Sequence, residues 1–119
     1  MKITKDQKEM IYDLVAAVFK EHCGTEFDMK GNKVKIIQFF TRFSIELESD
    51  DFQEAGLMFA EYVQENTAIF AKWQHRRMNN YLGFLGNENS MKNYKLQKRN
   101  STAQDANIAG MATEEAWSF

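Results

Sequence analysis

From residue 5 onward, apolar and polar side chains alternate with the period of an α-helix. Met10, Ile11, Leu14, Val15, Val18 and Phe19 recur three and four apart, while Lys5, Lys8, Glu9, Asp13 and Lys20 fall on the other side. Thr4 followed by Gln7 has the capping-box spacing, in which each side chain satisfies the other residue's free backbone N–H. Gly24 stands where a left-handed residue commonly ends a helix. Together these predict a first helix over residues 5–22.

Residues 24–32 read as a connection with a Gly31-Asn32 turn. A hairpin pairing 26–30 with 33–37 is the alternative, but helical spacing resumes at once. Ile36, Phe40, Phe43 and Leu47 form one stripe of a second helix over 33–47. Val34, Ile37, Phe39 and Ile45 widen it, and so broad an apolar girth predicts a helix at the centre of a bundle. Ser49, Asp50 and Asp51 signal the next start, with Asp50 and Gln53 at capping-box spacing. The third helix turns Phe52, Ala55, Gly56, Phe59, Ala60 and Val63 inward, and close contact with another helix would account for Gly56. The pattern runs on through Ile69, Phe70, Trp73, Met78, Tyr81, Leu82 and Leu85. An unbroken helix of about 35 residues is far longer than the mean, so a break is expected near 64–67, with Asn66 as the new cap.

Gly83, Gly86, Asn87 and Asn89 close the periodic part. Residues 86–116 hold scattered apolar side chains without a sustained period, with at most a short helix at 101–116, too few to hold the segment folded by itself. The expected fold is therefore all-α: a small bundle of three to four helices over 1–86. A polar, extended C-terminal arm over 87–119 follows it and ends in an aromatic anchor.

Composition strengthens this picture. Apolar residues make up 44% of 119 and include ten Phe, enough for one core. Proline is absent where average usage gives about six, as suits helices. Cys23 is the single cysteine, so no internal disulfide forms, and the first ten residues lack the apolar run of a secretion signal. No run approaches the roughly 18 apolar residues of a membrane span. A cytoplasmic protein with no membrane contact is expected. A weak compositional likeness to small phage-encoded chains would make that cytoplasm a bacterial host's. The Asn100-Ser101-Thr102 glycosylation triplet then reads as chance.

Candidate chemistry is sparse. Glu21, His22 and Cys23 are consecutive and cannot converge on one ion, and His75 is distant. Glu61 and Glu65 lie one turn apart, but no Glu-x-x-His partner exists for a bundle metal site. Glycine-rich phosphate loops, GxSxG and HExxH are missing. No enzyme activity, metal or cofactor is expected.

Charge is segregated although the net value is only −2. Glu46, Glu48, Asp50, Asp51, Glu54, Glu61 and Glu65 follow one another with no base between them. Lys72, Arg76, Arg77, Lys92, Lys95, Lys98 and Arg99 follow with Glu88 as the single acid. Helix macrodipoles account for several of these positions but not for the lysines beyond residue 90. Met111, Trp117 and Phe119 end a polar segment and suit a partner's pocket. The leading expectation is a non-enzymatic interaction protein: an adaptor, assembly component or inhibitor that docks a larger protein through charged helix faces and the tail. Nucleic-acid binding through 72–99, where Trp73, Arg76, Arg77 and Asn80 share one helix face, is one alternative. A self-assembling subunit of an oligomer or virion is another.

Overall fold

The computed structural model describes residues 2–73 and 77–107, with side chains described through Lys98. Helix α1 (Lys5–Cys23) starts on the expected capping box. Thr4 Oγ1 accepts from the Gln7 N–H at 3.1 Å, and Gln7 Oε1 accepts from the Thr4 N–H at 3.0 Å. It ends at Gly24, whose φ of 75° is left-handed and whose N–H donates to the Lys20 carbonyl. Ile11, Val15, Val18 and Phe19 are buried, Leu14 is half-buried, and Met10 points outward. The 24–32 connection is no hairpin. It drops Phe27 into the core against Phe19 and Tyr81, with ring centroids 5.4 and 5.7 Å away.

Helix α2 (Lys33–Glu46) buries Ile36, Phe40, Phe43 and Ser44, and the Ser44 hydroxyl donates to the Phe40 carbonyl at 2.9 Å. Its expected central position is corrected. Val34 and Ile45 are 69% and 72% exposed, because only one of its two apolar sides has neighbours. The central helix is α3 (Phe52–Ala71), which packs against α1, α2 and α4 and buries Ala55, Phe59, Tyr62, Val63, Asn66, Thr67 and Phe70.

Two details of α3 also differ from expectation. Its cap is Asp51, one residue beyond Asp50, and the Asp51 carboxylate accepts from the Glu54 N–H at 3.2 Å. There is no break at 64–67. The Asn66 side chain donates to the Tyr62 carbonyl at 2.8 Å, and the Thr67 hydroxyl donates to the Val63 carbonyl at 2.6 Å. Both polar groups fold back onto their own helix instead of starting a new one. The helix stops at Ala71, and the chain resumes as α4 (Met78–Leu85). Tyr81 of α4 donates to Thr67 Oγ1 at 2.8 Å, and Tyr62 donates to the Leu85 carbonyl at 2.9 Å. These bonds satisfy buried hydroxyls and fix α4 against α3.

Gly86 ends α4 where the chain passes the Phe39 ring, and a Cβ there would lie 2.5 Å from that ring. Asn87 Oδ1 then accepts from the N–H groups of Asn89 and Ser90 at 2.8 and 3.2 Å, starting α5 (Glu88–Asn107). The described residues thus hold five helices and no strand, not three to four helices. Met91 and Tyr94 of α5 are buried in the common core.

That core has two aromatic groups. Phe40, Phe43, Phe59, Tyr62 and Tyr94 bind α2, α3 and α5, with neighbouring centroids 4.9–6.1 Å apart. Phe19, Phe27, Phe70 and Tyr81 bind α1, α3 and α4. Such edge-on and offset pairs add about 0.5–1.5 kcal/mol each beyond burial.

Candidate functional site

The two charge blocks meet. On α5, the Lys98 ammonium sits 3.1 Å from Glu61 Oε1 of α3, with both side chains partly covered. Lys95 lies 3.8 Å from Glu48, at the loose end of ion-pair geometry. Two of the lysines beyond residue 90 therefore answer acids of the same chain. Tyr94 lies beneath Lys98, and its buried hydroxyl closes no hydrogen bond within ordinary limits. Burial first, and the Glu61 carboxylate second, hold its pKa well above the usual tyrosine range. The Glu65 carboxyl is pushed up by burial first and by Glu61 second, with Lys98 opposing. Of the remaining acids, Glu46 is half-buried at the end of α2, while Asp50, Asp51 and Glu54 are exposed around the start of α3. Lys72, Arg77 and Lys92 are exposed. Arg76, the Arg99 side chain, Met111, Trp117 and Phe119 lie outside the described residues.

The surface also carries apolar features that sequence periodicity hid. Met10, Ile11 and Leu14 of α1 face Phe52, Gln53, Gly56, Leu57 and Ala60 of α3 across a groove of about 280 Å³. Met10 is 59% and Leu57 75% exposed. The close contact with another helix expected at Gly56 is not made. A Cβ there would meet nothing within 4 Å, so Gly56, with Ala60, leaves the groove floor low and open. By helical spacing Asp6, Asp13 and Glu21 follow Met10 along the outer edge of the α1 wall. No family model, curated protein or solved structure matches this chain.

A second cleft, of about 310 Å³, lies between Trp73 and α4, lined by Asn79, Asn80, Gly83, Phe84 and Asn87. The Trp73 ring stands edge-on to Phe84 at 4.6 Å. Among the described residues no cluster of acids, histidines and cysteine could hold a metal, and no helix is long and apolar enough to cross a membrane. Cys23 is half-buried.

The available signal for the groove was phase. Leu57 falls off the inward stripe of α3 set by Ala55, Phe59 and Val63. An apolar residue out of phase marks a surface and not the core.

Proposed function

We propose that this protein is a non-enzymatic interaction module, an adaptor or inhibitor, that holds an amphipathic helix of a protein partner in the α1–α3 groove. One observation carries the proposal: two large apolar side chains, Met10 and Leu57, stand exposed on either side of a floor made of Gly56 and Ala60. A helix laid between two helices needs small residues below it and apolar walls beside it. Asp6, Asp13 and Glu21 at the rim favour a basic helix. The charged-face reading loses weight here, since Lys95 and Lys98 already neighbour Glu48 and Glu61. The segment with Met111, Trp117 and Phe119 is a second proposed contact to the same partner.

Site-specific photo-crosslinking in the native source tests this. A photoreactive residue at Met10 and another at Leu57 are expected to capture the same protein at a basic amphipathic segment, and Leu57→Glu is expected to abolish capture. Capture no greater than from Lys92 would defeat the groove. Salt-dependent retention on single-stranded nucleic acid, undiminished in Leu57→Glu, would instead favour the Trp73 cleft beside Lys72 and Arg77.

A further inference from the structure

A polar cleft of about 180 Å³ lies between α3 and α5. Glu65, Asn66 and Ile69 of α3 face Ser90, Asn93 and Gln97 of α5 across it. Residues 90, 93 and 97 recur three and four apart, so one face of α5 supplies that wall. Each of the five polar side chains can accept a hydrogen bond, and Glu65 is the one charged residue in the lining.

Asn66 is the buried carboxamide of this set. It is 8% exposed, and its Nδ2 donates to the Tyr62 carbonyl at 2.8 Å. A carbonyl only accepts, so the nitrogen must be the atom turned to Tyr62, and the oxygen is turned away. That oxygen closes no hydrogen bond with the described residues, yet it is not sealed off as the Tyr94 hydroxyl is. The opening that reaches it is the cleft. A nearly buried acceptor costs stability until water or a ligand donates to it.

Charge in the cleft is unbalanced. Glu61, one turn before Glu65, has Lys98 at 3.1 Å. Glu65 has no ion-pair partner among the described residues, and Lys98 acts on it only from longer range. Glu61, Glu65 and Lys98 together keep one uncompensated negative charge, at the edge of the cleft.

We propose that this cleft takes the guanidinium group of an arginine side chain carried by a protein partner. A planar cation with five N–H donors and no acceptor suits a lining of acceptors set on two helices, and it sheds water more readily than an ammonium. Ile69, 52% exposed at the edge, offers apolar surface to the methylene stem. The volume lies below the roughly 300–1,000 Å³ of sites for whole small molecules, so one side-chain group is the fitting occupant. No base lines the cleft, so a phosphate would meet Glu65 unopposed. The α-carboxylate of free arginine would fare no better, whereas in a peptide that group is an uncharged amide. The cleft shares no lining residue with the α1–α3 groove, and the inference does not depend on that groove.

NMR of the backbone and carboxamide N–H groups of the full chain tests this, with N-acetyl-arginine N-methylamide as the probe at constant ionic strength. Shifts should centre on residues 65–69 and 90–97 and saturate with a dissociation constant of about 1–10 mM, as suits one small group. The citrulline counterpart, planar but uncharged, should bind about tenfold or more weakly, and the lysine counterpart about threefold or more weakly. Glu65→Gln should weaken binding about tenfold or more while its thermal midpoint is no lower, which separates a lost ligand from lost folding. Failure to saturate by about 50 mM, shifts centred on another face, equal binding of the citrulline form, or undiminished binding to Glu65→Gln would each overturn the site. Free arginine and agmatine should bind no more than about threefold tighter than the capped probe, and a larger gain would overturn a partner's side chain as the source.

Discussion

Helices α3 and α5 are each twenty residues long, yet they are held in place differently. The central α3 buries seven side chains, and every polar group among them is bonded to a nearby carbonyl or hydroxyl. On α5, the described side chains contribute two core residues, Met91 and Tyr94, and two lysines facing acids of α2's end and α3. Apolar burial near 25 cal/mol per Å² therefore decides where α3 lies. Two anchors and partly solvated charges decide where α5 lies, and exposed ion pairs contribute about 1 kcal/mol or less. The difference predicts one cooperative body to which α5 is added as a weaker element.

The largest test is Phe59→Ala. Phe59 is fully buried, with the rings of Phe40 and Phe43 at 5.2 and 5.4 Å. Removing it should cost about 3–5 kcal/mol, a large part of a domain's total stability. Denaturant unfolding should show one transition moved to lower midpoint, with amide exchange accelerated in all the helices together. A loss confined to α2 and α3 would show that the body is not cooperative.

Next comes Met91→Ala. A buried Met→Ala change costs about 2–5 kcal/mol when the site cannot open. Here α5 can leave, so the global midpoint should move less than for Phe59→Ala. Exchange should accelerate first in residues 88–98 while the central α3 stays protected. Equal acceleration everywhere would make α5 integral to the body and remove any domain boundary at residue 86.

Much of this architecture was legible in the residues. The Thr4–Gln7 box, the Gly24 stop and the inward positions Ile11, Val15, Val18 and Phe19 of α1 and Ala55, Phe59 and Val63 of α3 are local signals that the fold obeys, whereas Met10, on the same periodic stripe, points outward. Other features depended on contacts that the sequence does not announce. Asn66 and Thr67 look like a helix start until their side chains are seen bonding back to Tyr62 and Val63. Val34 and Ile45 look like core because apolarity records that a face is apolar, not whether anything covers it. The end of α2 uses Glu48 at φ 57°, where glycine would have been the visible sign. Met91 and Tyr94 are too few to give a period, yet both sit on one side of α5 and reach the core. The meeting of acids and bases likewise required knowing that α5 returns across α2 and α3.

The smallest test lies on the seam between the two compared helices. Glu65 of α3 lines a cleft with Ser90, Asn93, Tyr94 and Gln97 of α5. Its carboxyl is held above the usual range, by burial first and by Glu61 second. The folded chain therefore holds this proton to higher pH than the unfolded chain does. Between the two pKa values the native state binds more protons, so stability falls as pH rises through that window. Above it Glu65 is ionised in both states and its full cost is present; well below it the cost is gone. Glu65→Gln should thus raise the thermal midpoint at pH 7 by no more than about 2 °C, since the group is largely solvated. The gain should vanish as the pH drops to the ordinary carboxylate range. A gain that persists in acid would come from packing against α5 and not from charge. A loss at pH 7 would show that Lys98 stabilises Glu65 more than burial and Glu61 oppose it, which would make the charged seam stronger than its geometry indicates.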